Sequence, residues 1–323
     1  MKLCKPFSRS LYLLPFLLLC GVLYQVIASS RNVPTLTGVT TAMAESGAVP
    51  IAPRIYAAHK LCDLSDKEID ECSGLAASRR YPGYLWVHND SGDSARLFLI
   101  NLAGKTVAQV NLQDAENVDW EDIAIVGTGK NAWLYVGDIG DNNENRKHVV
   151  IYRLHEPTID LRHSPVTITV PCERMKLTYP DGAHNAETLI AAPDGNLIVV
   201  TKTLGESAIF RTPQPFRADA KQQLVPVGKY QFGHTGWLTR LATGGDLSPD
   251  GKRLIICTYT EAYEWTLPRV NPWTMVWQTK PNIFVLPVMK QCEAICYSAD
   301  GSRIYLSSEK VPTPLYELVA KSP

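Results

Sequence analysis

Five short segments of this chain repeat one pattern, and that recurrence constrains the fold more than any other feature. Each runs polar or small, small or acidic, aliphatic, small. They are Ser73-Gly74-Leu75-Ala76, Glu121-Asp122-Ile123-Ala124, Glu187-Thr188-Leu189-Ile190, Gly245-Asp246-Leu247-Ser248 and Glu293-Ala294-Ile295-Cys296. Their first residues lie 48, 66, 58 and 48 positions apart. A turn follows each, most plainly Pro193-Asp194-Gly195, Pro249-Asp250-Gly251 and Ala299-Asp300-Gly301, and then a second strand such as Trp133-Leu134-Tyr135-Val136 or Leu197-Ile198-Val199-Val200. Turn residues between β-branched and aromatic runs are hairpin signals.

Third strands are expected over Arg96 to Ile100, Val149 to Leu154, Ser207 to Arg211, Ala262 to Thr266 and Leu315 to Val319. Four repeats offer a fourth strand, at Thr106 to Leu112, Val166 to Val170, Leu224 to Phe232 and Ile283 to Val288. The fifth repeat ends after its third. Arg54 to Leu61 supplies the missing strand from the other end of the propeller domain, so that no sheet edge is left open at the closure. The reading is an all-β, five-bladed β-propeller over residues 53–321, closed by an N-terminal strand. A six-bladed alternative needs a cryptic blade in the long second or third repeat.

Composition agrees. The 22 Pro and 21 Gly among 323 residues punctuate the chain as many short strands require. The 32 Lys and Arg balance 32 Asp and Glu with no basic block, which argues against a nucleic-acid partner, because phosphate neutralisation needs clustered cations.

The first 30 residues read as a targeting segment. Lys2, Lys5 and Arg9 precede an uncharged stretch, apolar from Leu11 to Ala28, which is the signature of an export signal or of an uncleaved anchor. Either places the remainder on the exported side (periplasmic, secreted or anchored), with membrane contact only through residues 11–28. Residues 31–52 read as a flexible linker. Past the leader remain Cys62, Cys72, Cys172, Cys257, Cys292 and Cys296, which an exported chain is free to pair or to bury as thiols.

In a propeller the innermost strand of each blade lines the central channel, so the first positions of the five segments should meet. They are Ser73, Glu121, Glu187, Gly245 and Glu293. Three crowded carboxylates resist ionisation unless a cation joins them. Ca²⁺ takes carboxylates, carbonyls and waters in flexible geometry, so Ser73 and Gly245 would contribute carbonyl oxygens.

In that order the five residues resemble the soluble calcium-activated nucleotidases (apyrases), five-bladed propellers whose axial calcium is held by Ser, Glu, Glu, Ser and Glu. The segments Trp86-Val87-His88-Asn89-Asp90-Ser91-Gly92, Asp119-Trp120-Glu121-Asp122 and Tyr135-Val136-Gly137-Asp138-Ile139-Gly140-Asp141-Asn142 are similar to those of exported bacterial propellers of no assigned activity. By the apyrase resemblance Asp90 matches that family's Asp and Glu309 lies near its late acidic loop. Lys202 sits about where apyrases carry Arg, and Ser91 replaces the Arg after the Asp.

Loops after the second strands fall on one side of the ring. They bring His88, Asn89, Asp90, Asp138, Asp141, Asn142, Lys202, Tyr259 and Glu309 to one mouth, with Arg96 and His184 beside them. Carboxylates, cations and a metal in a concave mouth suit hydrolysis of a phosphoester or phosphoanhydride. The expected assignment has Asp90, Lys202 and Glu309 as catalytic groups, His88, Asn89, Arg96, Asp138, Asp141, Asn142, His184 and Tyr259 contacting a small phosphorylated substrate, and the protein as a monomer. The alternative is a non-catalytic propeller with a structural calcium that binds a surface ligand.

Overall fold

The computed structural model describes residues 54–233, 236–270 and 272–321. The targeting segment at 1–30 and the linker at 31–52 lie outside the described residues. Strand β1, Tyr56–Asp63, comes first. Blade one follows with β2 (Cys72–Ala77), β3 (Tyr84–Asn89), β4 (Arg96–Asn101) and β5 (Thr106–Gln113). Blade two has β6 (Trp120–Val126), β7 (Trp133–Asp138) and β8 (Val149–His155); β9 (Val166–Pro171) and β10 (Glu173–Thr178) come next. Blade three has β11 (Ala186–Ala191), β12 (Leu197–Thr201), β13 (Ser207–Arg211) and β15 (Val225–Tyr230), with a short β14 (Lys221–Gln223) between the last two in the chain but outside their sheet. Blade four has β16 (Ala242–Leu247), β17 (Arg253–Thr258), β18 (Glu261–Thr266) and β19 (Asn282–Val285). Blade five has β20 (Gln291–Tyr297), β21 (Arg303–Glu309) and β22 (Pro314–Ala320), completed by β1 antiparallel to β22. The fold is thus a five-bladed β-propeller closed by its N-terminal strand.

Two outer strands depart from the expectation. Val166–Pro171 does not complete blade two; it crosses to pair in parallel with β5 as a fifth strand of blade one. Blade two is completed by β10, antiparallel to β8, with β14 added in parallel outside it. The pattern of β10 explains its place, because Met175 and Leu177 alternate inward while Arg174 and Lys176 face water. These exchanges cover the outer edges of two sheets with backbone from the neighbouring repeat.

The core is divided among the interfaces between blades. Trp86, Leu97 and Leu99 of blade one pack against Trp120, Ile123 and Leu134 of blade two. Phe210 and Leu189 face Tyr135 and Ile151 across the next interface. All six described cysteines are free thiols, four of them buried, so here they act as small hydrophobes. Among the described residues no helix is long and apolar enough to cross a membrane.

A buried carboxylate locks the closure. Glu264 on β18 accepts from the Tyr56 hydroxyl of β1 at 2.9 Å, the Tyr297 hydroxyl of β20 at 2.9 Å and the Arg253 guanidinium at 3.2 Å. Glu264→Ala would leave Arg253 without its counter-charge and two tyrosines without an acceptor. The expected loss is about 3–5 kcal/mol, the usual cost of breaking a buried ion pair from one side. Urea unfolding checks this, and a loss below about 1 kcal/mol, the value of an exposed pair, contradicts it.

Candidate functional site

Register places the inner ring. In every blade the pairing between first and second strands slips by one residue near the entry of the first strand. The slips fall between Cys72 and Gly74, Trp120 and Asp122, Ala186 and Thr188, Ala242 and Gly244, and Cys292 and Ala294. A bulge of this kind re-aims the extra residue. The bulged residues are Ser73, Glu121, Glu187, Thr243 and Glu293, all between 0 and 4% exposed. Four of the five expected ring positions are therefore equivalent. Gly245 is not; it lies two residues beyond the bulge of its strand, and its N–H is directed at Asp122 at 3.3 Å. Thr243 holds its place.

The hydroxyls of the ring are used between blades. Ser73 Oγ donates to the Glu121 carbonyl at 2.7 Å, and Thr243 Oγ1 to the Cys292 carbonyl at 2.8 Å. The three carboxylates are left to the channel. Lys202, one residue past β12, reaches inward to pair with Glu187, and its Nζ lies 3.6 Å from Glu293 on blade five. A side chain that touches both shows that these blades' glutamates converge. Burial alone would lower the Lys202 pKa, but Glu187 and Glu293 outweigh it and hold the ammonium charged. The same ammonium lies 5.2 Å from the ring centre of Tyr259, within cation–π range.

Second strands end where first strands begin, so the residues after β3, β7, β12, β17 and β21 share one end of the ring. Asp90 and Glu309 lie there. Burial, then hydrogen bonding to Glu293, pushes the Glu309 carboxyl up to about 10. Asp90 is raised to about 6, mainly by burial, with its own Ser91 N–H opposing and Asp119, Glu293 and Glu71 adding to it. Glu121 stands well above the usual carboxylate range, because of burial first and then Glu187, Asp90, Asp119 and Glu293. Ligand oxygens of Asp90, Asp119 and Glu121 all lie within 4.8 Å of one another. Gly140 faces this group: a Cβ there would collide with Glu121 Oε1 and Asp119 Oδ2.

The remaining expected contact residues divide by role. His88 is fully buried edge-on to Trp120, with Nδ1 at 2.9 Å from the Asn89 carbonyl, so it does not open onto the mouth. Asn89 binds the Glu68 carbonyl and Asp93, and Arg96 pairs with Asp93 and Glu68 along a lateral groove of about 340 Å³. Asp138 is buried against Arg146 at 2.8 Å. Asp141 accepts the N–H groups of Asn145 and Arg146, which makes it a loop former. Asn142 accepts from Asn185 at 3.1 Å, and His184 lies 2.9 Å from Asp181.

Three residues were not among the sequence candidates. Asp119 joins the acidic group, and a signal was present, because it stands two before Glu121 in an unusually acidic segment. Thr243 replaces Gly245. Asp122 accepts from Leu189 N–H at 2.9 Å, Gly245 N–H at 3.3 Å and Ile123 N–H at 2.8 Å, which ties blades two, three and four at the centre.

The sequence matches no protein-family model, and no curated protein is similar to it. Among solved structures, a gluconolactonase of Xanthomonas campestris is 12% identical, with 74% of this chain and 69% of that one covered at a TM-score of 0.41. Hydrazine synthase of Kuenenia stuttgartiensis is 11% identical, with 78% and 84% covered at a TM-score of 0.39.

Proposed function

We propose that this is an exported, monomeric propeller that holds a calcium ion among the carboxylates at one end of its channel and hydrolyses phosphoester or phosphoanhydride bonds of a small substrate there. The observation that carries the reading is the crowding of Glu121, Glu187, Glu293, Asp90 and Glu309 at one end of the ring, of which the Lys202 ammonium pairs with Glu187 and Glu293. A donor set made of carboxylate oxygens suits a hard cation. The site also fits one by its own deficit: Glu187 Oε2 is buried with no hydrogen-bond partner. With Thr243 in the ring, its order becomes hydroxyl, Glu, Glu, hydroxyl, Glu, closer to the apyrase set than the order with glycine.

A bound calcium would polarise a phosphoryl oxygen. Asp90, a half-buried carboxylate of the acidic group, would hold the attacking water beside the ion. Lys202 would offset charge developing on the phosphoryl group. A second reading, the non-catalytic binder of a surface ligand, is favoured by one observation: Lys202 and Glu309 already engage Glu187, Glu293 and Gln291 inside the ring. Phosphate release from nucleotides and model diesters, with calcium and with chelator, separates the two. The hydrolase reading expects calcium-dependent turnover that falls about 100-fold or more in Asp90→Ala, as for loss of a group that holds both the ion and the attacking water. Turnover no higher than that of the variant leaves the binder.

A further inference from the structure

We infer that the cation sits off the channel axis, between Asp90, Asp119 and Glu121 with Glu187 behind them, and that Lys202 is the resident counter-ion of the opposite half of the ring. The inference rests on the cation-dependent reading above and specifies where the ion binds. A symmetric axial site would draw equally on all five bulged residues, and four of them are not free to serve equally. Ser73 and Thr243 spend their hydroxyls on the next blade's backbone. Glu293 lies 3.6 Å from the Lys202 ammonium, which offsets its charge. Glu187 is divided: Oε1 takes the Lys202 ammonium, while Oε2 is buried and receives nothing.

The other half of the ring is different. No described donor hydrogen-bonds the Glu121 carboxylate, although the residue is 97% buried by its 3% exposure. Its oxygens meet those of Asp90 and Asp119 within 4.8 Å, and Glu187 is the charge that acts on it most strongly. Asp119 comes from the segment just before β6 and Asp90 from the turn after β3, so two blades supply the group. The lack of a side chain at Gly140 lets the Glu121 and Asp119 carboxylates come together against its backbone. Three carboxylates, two of them half-buried and one buried, suit calcium, which tolerates irregular coordination and bound waters, better than the rigid octahedron of magnesium.

Calorimetric titration of the metal-stripped full chain with calcium chloride tests the placement, with circular dichroism on each variant to confirm the fold. Asp119→Asn changes a half-buried residue outside the bulged ring. It is expected to weaken calcium about tenfold or more, whereas Glu293→Gln weakens it less than about threefold. Lys202→Met is expected to bind calcium at least as tightly as the natural protein and, in chelator, to melt at a lower temperature. If Glu293→Gln weakens binding more than Asp119→Asn does, the ion is axial: the cation-dependent reading then stands and this placement is lost. No binding by the natural protein removes both. An unchanged melting temperature for Lys202→Met in chelator overturns the counter-ion role.

Discussion

Asp122→Ala is expected to lower stability by about 3–5 kcal/mol, since each buried N–H left without an acceptor costs about 1–3 kcal/mol. The carboxylate is fully buried at the centre of the ring, where it holds backbone N–H groups of blades three and four as well as its own Ile123. No other described side chain can take over those donors without the strands moving apart. Asp246 does a smaller version of the same task, accepting from Tyr297 N–H at 2.8 Å and Leu247 N–H at 2.7 Å. It links one neighbouring blade where Asp122 links two. Urea unfolding of both alanine variants should rank Asp122→Ala as clearly the more damaging. Equal losses, or the reverse order, would refute the idea that the ring is held by this one group.

Metal-free protein should lose stability as pH rises from 6.5 to 9. Glu187, raised to about 8 by burial despite Lys202, and Glu309, raised to about 10, keep protons in the folded state that an unfolded carboxylate releases near 4.3. Their contribution is therefore complete below about pH 4.3 and disappears as pH climbs through the folded values. Each proton so retained gives a slope of up to about 1.4 kcal/mol per pH unit. His88 acts with the opposite sign. Burial lowers its pKa to about 4, so it penalises the folded state only below about 6.5, the unfolded value, which leaves the higher window to the carboxylates. Thermal melts in chelator across that window should show a steady fall, and calcium should flatten it by replacing the retained protons. A melting temperature that is level or rising in chelator contradicts the expectation.

The blade count and the closing strand were legible because turns and β-branched runs recur at fixed intervals, and physics leaves few ways to bury so many short strands. The register of blade four was not read correctly. Gly245-Asp246-Leu247 imitates Glu121-Asp122-Ile123 in polarity, so matching residue types slid the alignment by two. The turns held the correction: counting six back from Pro193, Pro249 and Ala299 reaches Glu187, Thr243 and Glu293. Val166–Pro171 was misplaced for another reason. An outer strand pairs through its backbone, and its alternation does not say which neighbour it joins.

The site was legible in part for similar reasons. Glutamates at one repeat position could be paired from spacing alone, since the bulge recurs in each blade. The inward reach of Lys202 depends on a long side chain following the end of β12, and spacing does not reveal where such a chain ends. His88 and Asp138 sit in polar, loop-like segments but are buried, because Trp120 covers one and Arg146 neutralises the other.

Equilibrium dialysis of the full chain against calcium, with the ion counted per chain, bears most directly on the proposal that these crowded acids exist to hold a cation. One calcium per chain, lost in Glu121→Gln while the fold is retained, is the predicted result. No bound calcium, or a stoichiometry that Glu121→Gln leaves unchanged, would contradict it.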